Sequence, residues 1–432
     1  MQKFLFILLV ASVPFTTIAQ IGGLVNRAKA KVESRINKNV DEKMDKALDQ
    51  VEGKKSGTNS GGTAAAASEE ETPSEKAGVT SYAKFDFVPG SKVIYAEDFS
   101  QDEIGELPLG WNTNNRGEVV TLNGIPGKWM RLIGNSSYLS SSKDTFSRNF
   151  SVEFDLVYNI EPNGYVLPSM KFGFLSTNDE AANDNKFLKQ QDIYQQCEIT
   201  MSIYPRGKKG YSEKYAVDLQ TFQERVSFFN AEAKSIDDLG AYANKVSHVS
   251  VQVQGTRLRL WVNGFKAYDL PMALPVKYNY NQLFFELENS NYKDEEIGYY
   301  ISNIKVASGK PDTRHKLLDE GKFSTTGILF NVQSAVIKPE SYGVLKEIAS
   351  VMKEHASVRL KIIGHTSSDG DDAANMELSR QRAAAVKDLL VKEHGIDASR
   401  LETEGKGETQ PVADNKTEEG KAQNRRVEFI KL

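Results

Sequence analysis

The hydrophobic period of this chain changes near residue 310, and the change divides the sequence into two kinds of fold. Between about residues 82 and 308, short segments such as FSVEFDLVY and MKFGFLS alternate apolar and polar residues. Clusters of Asn, Gly, Ser and Pro separate these segments, which is typical of the strands of a two-sheet sandwich. After Lys310, strands alternate with long amphipathic helices such as SYGVLKEIASVMKEH, which is the pattern of an α+β domain.

We therefore predict a multidomain chain, in which an all-β jelly-roll sandwich over residues 81–309 precedes an α+β domain with a mixed sheet over residues 310–432. A chain of 432 residues also exceeds what one hydrophobic core usually organises. Within the sandwich, the pairs Gln254-Gly255 and Asn263-Gly264 predict tight hairpin turns on either side of a strand.

Residues 1–19 have the layout of a secretory signal peptide. Lys3 precedes an apolar run over residues 4–13, and the segment ends in the small residue Ala19. Export predicts an oxidising compartment, yet Cys197 is the only cysteine, so no intrachain disulfide can form. Export without a disulfide framework fits an envelope protein, in the periplasm or associated with the outer membrane.

The next two segments are predicted to be a helix and a linker. Residues 20–52 place an apolar residue at a mean step of about 3.7 residues, which predicts an amphipathic helix with one thin apolar face. Such a face must self-associate, lie on a membrane surface or fray. Self-association is favoured because the segment contains no aromatic residue to insert into lipid. Residues 53–80 are small and polar, which predicts a flexible linker.

Charge and motif content exclude several classes of function. The formal net charge is -4, with 54 basic and 58 acidic residues, so nucleic acid is not an expected partner. The five histidines lack the two-His helical spacing of metalloproteases, and Ser and Cys nucleophile motifs are missing. We predict no catalytic residue and no cofactor. The one metal considered is a structural calcium held by Glu97 and Asp98, on fold analogy alone.

The segments KVIYAEDFS, KWMRLIG, RLRLWVNGFKAYDLP and YYISNIKVA of the sandwich resemble those of laminin-G or concanavalin-like jelly rolls. The resemblance implies a module that binds a glycan or another envelope protein. Trp111, Trp129 and Trp261 would stack on sugar rings if they were exposed, although tryptophan in such sandwiches is more often part of the core.

A carbohydrate-active hydrolase is the alternative for the sandwich, since glycoside hydrolysis needs two carboxylates that face one cleft. Glu153 with Asp155, and Glu286 with Glu288, each share a sheet face. The first pair begins like the E-x-D-x-x-E pattern of some concanavalin-like hydrolases, but the third position is Tyr158. The favoured interpretation is that these acids form the polar face of half-buried strands.

The C-terminal stretch GHTSSDGDDAANMELSRQRA carries a Gly-rich, acid-rich loop into a helix. On that helix Leu378, Arg382, Val386 and Leu389 share one face, so Arg382 lies on the apolar side. A guanidinium there needs an anion, and its fork suits bidentate capture of a carboxylate. Spacing alone leaves two alternatives open, an internal salt bridge and a ligand site.

Five motifs extend this observation: ILFNVQSAVIKPES, IIGHTSSDG, NMELSRQRAAAV, LETEGKGETQPVADN and NRRVEF. In this order and spacing they resemble the OmpA-like peptidoglycan-binding domain. The resemblance implies non-covalent binding of the meso-diaminopimelate residue of the stem peptide. It also implies that Arg382 clamps the ligand carboxylate, and that further pocket positions are those listed here: Thr366, Asn375, Asn331 and Arg426.

This chain departs from the family at the position that accepts the ligand ammonium. The family aspartate is replaced by Ser367, and Asn331 stands where many members carry Asp. A hydroxyl supplies no charge, so binding is expected to weaken by roughly one to two decades. We hypothesise that Asp369 substitutes for the missing acid. The alternatives are that the acidic loop only caps the helix, or that the protein is a structural oligomer that has lost peptidoglycan binding.

Overall fold

The computed structural model describes residues 85–141, 144–160, 165–177, 184–188, 195–204, 214–237, 243–276, 279–309 and 312–432. All of them belong to one unit, which spans Thr80–Leu432. The predicted signal peptide, amphipathic helix and linker lie outside the described residues. No helix within the described ranges is long and apolar enough to cross a membrane.

Before residue 310 the regular secondary structure of the described residues consists almost entirely of strands. In chain order they are β1 (Lys92–Glu97), β2 (Asn112–Thr113), β3 (Gly117–Leu122), β4 (Ile125–Leu132), β5 (Ser136–Leu139), β6 (Asn149–Ile160), β7 (Met170–Ser176), β8 (Gln195–Tyr204), β9 (Lys214–Gln223), β10 (Val226–Asn230), β11 (Lys234–Asp237), β12 (Val246–Gln254), β13 (Arg257–Val262), β14 (Phe265–Leu270), β15 (Gln282–Leu287) and β16 (Ile297–Ser308). One short 3-10 helix, Asn185–Leu188, lies between β7 and β8.

Within the described residues these strands form two eight-stranded sheets. The first sheet has the order β14-β13-β12-β6-β16-β4-β3, with β1 also paired to β16. The second sheet has the order β10-β9-β8-β7-β15-β5-β2, with β11 also paired to β9. The strand pairings in both sheets are antiparallel.

The two sheets share one apolar core. Phe150, Val152 and Phe154 of β6 meet Phe172 and Phe174 of β7 in this core. The ring centroids of Phe154 and Phe172 lie 4.8 Å apart in an edge-to-face arrangement. Because alternate residues of a strand point to opposite faces, the period-two apolar pattern of the sequence becomes this shared core.

Both predicted hairpin turns form. β12 and β13 are joined through Gly255-Thr256, one position later than the predicted pair Gln254-Gly255. β13 and β14 are joined through Asn263 and Gly264, whose φ angles are 47° and 79°. Two consecutive positive φ angles in a two-residue loop define a type I′ turn, which explains why Asn-Gly is the signal.

The C-terminal domain combines a mixed sheet with helices. Its elements are α1 (Thr313–Leu318), β17 (Lys322–Thr325), α2 (Tyr342–Glu354), β18 (Leu360–Gly364), α3 (Asp372–Lys392), β19 (Leu401–Gly405), α4 (Glu418–Asn424) and β20 (Val427–Lys431), with 3-10 turns at Pro339–Ser341 and Ala398–Arg400. The sheet order is β17-β20-β18-β19, and β18 pairs with β19 in parallel. This arrangement agrees with the predicted α+β class.

Residues 85–91, which we call the crossing segment, run over the outer face of the first sheet before β1 begins. Trp261 of β13 lies edge-to-face on Phe87, with ring centroids 5.3 Å apart. Gln252 of β12 donates from Nε2 to the Val88 carbonyl at 2.7 Å. Ser151 of β6 accepts the Gly90 amide at 2.9 Å. The segment is therefore fixed across three neighbouring strands.

The other side of the crossing segment contacts the C-terminal domain. The side chain of Val88 belongs to the apolar core of that domain. Gly343, in the first turn of α2, lies so close that an added Cβ would come within 2.1 Å of the Phe87 carbonyl oxygen. The crossing segment therefore lies between the two domains and packs against both.

The polar face of β6 is buried as well as its apolar face. Glu153 and Asp155 are only 2% and 3% exposed. The sequence interpretation, which made these acids the polar face of half-buried strands, is wrong about their exposure. Their alternation with apolar residues is as expected, but residues of the C-terminal domain and neighbouring charged side chains lie over this face.

The predicted fold class is confirmed at the level of a mostly β chain with a helix-containing C-terminal domain. The jelly-roll type of the sandwich and the exact domain boundaries stay predictions. Cys197 is fully buried in β8, where burial raises the pKa of its thiol well above the ordinary value. It therefore packs as an apolar residue.

Candidate functional site

A cavity of about 810 Å³ lies between the sandwich and the C-terminal domain. On one side it is lined by the loop that follows β18, by the first turns of α3 and by α4. On the other side it is lined by the end of β1 and by the outer faces of β6, β12 and β16. Sequence patterns predicted the first wall as a binding site, but gave no indication that residues of the sandwich form its second wall.

Arg382 of α3 faces this cavity from the C-terminal domain. Its guanidinium lies over the Phe330 ring, 4.8 Å from the centroid, and its Nε donates to the Ser334 carbonyl at 3.0 Å. No carboxylate of the described residues pairs with it. Burial and the nearby charge of Arg425 lower the pKa of Arg382 to about 10, so the group stays charged at neutral pH. The internal salt bridge left open by spacing is therefore not formed here.

The loop after β18 delivers Thr366 and Ser367 to the same cavity. The Thr366 amide donates to the Gly407 carbonyl, whereas its hydroxyl, in a residue only 5% exposed, has no hydrogen-bond partner among the described residues. A buried hydroxyl without a partner is costly, so this oxygen is suited to a ligand. Ser367 Oγ donates to Asp369 Oδ2 at 2.9 Å.

Asp369, the hypothesised substitute for the family acid, already has cationic neighbours. Its carboxylate lies 3.0 Å from Lys421 Nζ and 3.8 Å from Arg425. Burial alone would raise the pKa of Asp369, but hydrogen bonds from Lys421 and Ser367 hold it below its usual range. The carboxylate is thus ionised and partly neutralised by its own domain. Its role toward a ligand stays a prediction.

Asn375 and Asn331 differ in whether hydrogen bonds of the fold hold their side chains. Asn375 is buried in the first turn of α3, and its Nδ2 donates to the Asp369 carbonyl at 3.0 Å and to Glu408 Oε2 at 2.7 Å. It therefore holds the acidic loop in place. Asn331 is exposed at the edge of the cavity. The loop also caps the helix as the alternative interpretation expected, because Asp371 accepts the Ala374 amide at 3.0 Å.

Arg426 lines the cavity but is engaged by internal partners. The side chain is 3% exposed, and it donates to Glu428 Oε1 at 2.7 and 2.9 Å and to the Gln410 carbonyl. Beside it, burial and the charge of Arg426 lower the pKa of His365 to about 4, so this imidazole is neutral at pH 7. The geometry gives Arg426 a structural ion pair, and its predicted ligand role stays untested.

Sequence reasoning passed over Arg425 and Phe330, which complete this wall of the cavity. Phe330 forms the surface on which Arg382 stacks. Arg425 lies close enough for its charge to lower the pKa of Arg382. Phe330 stands inside the motif ILFNVQSAVIKPES and Arg425 inside the motif NRRVEF. Phe330 and Arg382 lie in distant parts of the sequence and share no periodic pattern, so only the fold reveals the pair.

The sandwich wall of the cavity contains a buried charge cluster. His248 Nδ1 lies 2.6 Å from Asp155 Oδ1, and Lys305 Nζ lies 3.0 Å from Glu153 Oε1. Lys338 of the C-terminal domain reaches Asp155 at 3.8 Å. Burial alone would lower the pKa of His248, but its hydrogen bond to Asp155 and the nearby carboxylate of Glu153, 3.6 Å from Nε2, raise it to about 9.

These contacts do not favour a hydrolase. The carboxylates of Glu153 and Asp155 are held by cations of the same wall. Glu286 and Glu288 both lie near Lys171 Nζ, at 3.7 and 3.3 Å. The exposed tryptophan that a sugar-binding groove would need is not supplied by Trp111, Trp129 or Trp261, which are buried as core residues.

The residues considered for calcium do not fit a calcium site. Glu97 accepts the Phe99 amide and Asp98 accepts the Ser100 amide. Within the described part of the chain, no group of three or more His, Cys, Asp or Glu side chains is arranged to hold a metal ion. We therefore do not propose Glu97 and Asp98 as calcium ligands.

Comparison with known proteins identifies the C-terminal region. Residues 329–425 match the model of the OmpA family. Outer membrane porin F of Pseudomonas aeruginosa is 46% identical over 101 residues, which are 23% of this chain and 29% of that protein. Peptidoglycan-binding protein ArfA of Mycobacterium bovis is 38% identical over 103 residues, 24% of this chain and 31% of that protein. The chain thus spans less than a third of the length of either relative.

A solved structure, that of the peptidoglycan-associated lipoprotein from Burkholderia pseudomallei, is 28% identical. It covers 27% of this chain and 98% of its own, with a TM-score of 0.24. The names of the two sequence relatives describe an outer-membrane porin and a peptidoglycan-binding protein. The expected location in the cell envelope is confirmed at that level, and the resemblance of the C-terminal region to the OmpA family is confirmed.

Proposed function

We propose that this protein, whose residues 329–425 are an OmpA family domain, binds peptidoglycan non-covalently and holds its β-sandwich at the cell wall. The ligand group is the diaminopimelate residue of the stem peptide. The sandwich then acts as a displayed module whose partner is a glycan or another envelope protein. No reaction is part of this proposal.

The charge state of Arg382 carries the proposal. A partly buried guanidinium that lies on an aromatic ring, faces a cavity and has no carboxylate partner among the described residues is suited to an anionic ligand. The planar fork offers two parallel hydrogen bonds to a carboxylate, which a lysine could not offer. The unpartnered hydroxyl of Thr366 in the same cavity adds a second ligand contact.

The relatives support the same class of ligand. One of the proteins that matches the C-terminal region is named as peptidoglycan-binding and another as peptidoglycan-associated. Diaminopimelate carries a carboxylate and an ammonium at its free end, and Arg382 accounts for the carboxylate. Ser367 does not account for the ammonium, because its hydroxyl is neutral and hydrogen-bonded to Asp369.

Retention of the full chain on purified diaminopimelate-type sacculi tests the proposal. We expect Arg382→Ala to lower the affinity by at least about tenfold, since hydrogen bonds to charged groups contribute roughly 1.5 to 3 kcal/mol. Arg380→Ala is the matched control, because Arg380 lies on the same helix with its side chain 61% exposed. It should leave retention unchanged.

Two results would contradict the proposal. If the parent chain is not retained, the domain keeps the fold without the binding, and the structural-oligomer alternative takes its place. Equal retention of the parent and Arg382→Ala would show that the sacculus is held by a different surface.

A further inference from the structure

The candidate partners for the ligand ammonium lie on the sandwich wall of the cavity. Four sandwich carboxylates line the cavity, those of Glu97, Asp98, Glu153 and Asp155. Lysine and histidine side chains neutralise Glu153 and Asp155. Glu97 and Asp98 form no ion pair with any of the residues that the structure describes. The negative charge that remains available to a ligand therefore lies at the end of β1.

Their hydrogen bonds leave both carboxylates with free acceptor capacity. From the residues that the structure describes, Glu97 accepts the Phe99 amide at 2.9 Å and no other hydrogen bond, and Asp98 accepts the Ser100 amide at 3.0 Å and no other. An ionised carboxylate has about four lone-pair sites, so each group can accept further hydrogen bonds. Burial raises the pKa of Glu97 to about 7, with the carboxylates of Asp102, Asp98 and Glu418 adding to the effect. Burial and the neighbouring acids thus disfavour the ionised form of Glu97, which an ammonium beside it would stabilise.

Contacts between the domains hold this acidic corner beside the C-terminal wall. The Gln423 side chain of α4 accepts the Val93 amide of β1 at 2.8 Å. Val93, Ala96 and Ala422 form an apolar cluster across the same junction. The end of β1 is therefore fixed against α4. Arg425 follows α4 directly and influences Arg382.

Two further groups indicate that the cavity is built for a ligand. Thr366 Oγ1 is buried, lines the same cavity, and finds no hydrogen-bond partner in the part of the chain that the structure describes. The guanidinium of Arg382 faces the cavity with no anion among the described residues. A cavity with an unpaired cation on one wall and unpaired carboxylates on the other matches a zwitterion, which carries both charges.

We infer that Glu97 and Asp98 of the sandwich accept the ammonium of the ligand whose carboxylate Arg382 binds, in place of the acid lost at Ser367. The inference rests on the proposed function and deepens it. The binding site is then composite, and the sandwich is part of it. The ligand class is the free amino-acid end of a diaminopimelate stem peptide, and a peptide whose terminal amine is blocked should bind poorly.

The test uses the full chain and two synthetic peptides, Ala-γ-Glu-diaminopimelate and the same peptide with the distal amine acetylated. Affinities are measured by calorimetry for the parent and for Glu97→Gln/Asp98→Asn. We expect the parent to prefer the free amine by at least about tenfold, and the double variant to lose most of this preference. Glu103→Gln/Glu106→Gln is the matched control, since both acids are exposed and lie outside the cavity lining.

The outcomes separate this inference from the proposed function. If Arg382→Ala abolishes binding while Glu97→Gln/Asp98→Asn keeps the full preference, the inference fails and peptidoglycan binding stands. If the parent binds neither peptide, both fail. A parent that binds the acetylated peptide equally well also overturns the inference, and this measurement needs no variant to fold. Thermal melting of each variant confirms that it is folded.

Discussion

Single residues of the C-terminal domain divide into those that hold the fold and those that face the cavity. Arg382 and Arg426 are both arginines of the family pattern, yet they differ in their partners. Glu428 engages Arg426 with both side chains almost fully buried, whereas no carboxylate of the described residues engages Arg382. The internal partner, more than the motif, therefore distinguishes the two arginines.

Glu428→Gln is expected to destabilise the protein strongly. It leaves the Arg426 guanidinium buried without its counter-ion, and breaking a buried ion pair from one side costs about 3 to 5 kcal/mol in the free energy of unfolding. Chemical denaturation of the full chain, followed through the transition of the C-terminal domain, measures this cost.

The control for this substitution is Glu402→Gln. Glu402 pairs with Arg359 at the surface, where both side chains are about half exposed, so its loss should cost less than about 1 kcal/mol. Equal costs for the two substitutions would mean that Glu428 does not hold Arg426.

The sequence predicted Arg382 as a candidate site residue, because a charged residue on an apolar helix face interrupts the apolar period. Glu97 and Asp98 were considered only for a structural calcium, because they belong to another domain and lie in no pattern shared with α3. Arg425 lies in the motif NRRVEF, but the resemblance implied its neighbour Arg426 as the pocket position. Local spacing identifies a residue that lacks a partner, whereas the partner itself depends on how the domains meet.

At the scale of elements, α2 approaches the crossing segment through one small residue. Gly343 leaves room for the Phe87 carbonyl where any side chain would collide with it. Glycine in a helix normally lowers stability relative to alanine by roughly 0.5 to 1 kcal/mol. At this position the close approach of two backbones favours glycine over alanine.

Gly343→Ala should therefore lower the free energy of unfolding by about 1 to 3 kcal/mol, the range found for overpacked cores. The backbone of the crossing segment would have to shift, because the nearest atom is a carbonyl oxygen and not the end of a flexible side chain. Thermal and chemical denaturation of the full chain measure the change.

Ser350→Ala is the matched substitution on the exposed face of the same helix. It should be neutral or slightly stabilising, because alanine has the higher helix propensity. A Gly343→Ala variant as stable as this control would show that the crossing segment moves aside at no cost.

Elements were predictable where their periods are long and regular. The alternation in β6 and the Asn263-Gly264 turn indicated strand and hairpin correctly. The burial of the polar face of β6 was not predictable, because one face of a strand is usually solvated in an antiparallel sheet. The charged residues there are buried by a contact between domains, which a local period does not record.

At the scale of the whole molecule, the buried charge cluster couples the contact between the domains to pH. Asp155 lies at its centre, with His248 at 2.6 Å and Lys338 of the other domain at 3.8 Å. Glu153 and Lys305 complete the cluster. The folded protein holds His248 protonated, because its pKa is raised to about 9.

The stability should therefore fall as the pH rises. In the unfolded chain His248 has a pKa of about 6.5, so its contribution is complete below that pH and is lost as the pH rises through about 9. The slope in this window should reach up to about 1.4 kcal/mol per pH unit. Denaturation midpoints of the full chain between pH 6 and pH 10 measure it.

His248→Gln should flatten this slope, although it also lowers the stability at neutral pH by leaving Asp155 without its nearest cation. His355→Gln, which lies outside the cluster, should keep the slope of the parent. A parent whose stability is constant from pH 6.5 to pH 9 would contradict a protonated His248 in the folded state.

The crossing segment also sets the path that a mechanical load takes through the molecule. When the C-terminal domain is held by the wall and the chain before residue 85 is pulled, the tension first reaches this segment. Val88 lies in the core of the C-terminal domain, and Trp261 and Gln252 hold the same segment on the sandwich. Part of the load passes directly to the anchored domain, so the sandwich strands are shielded until the segment is pulled free.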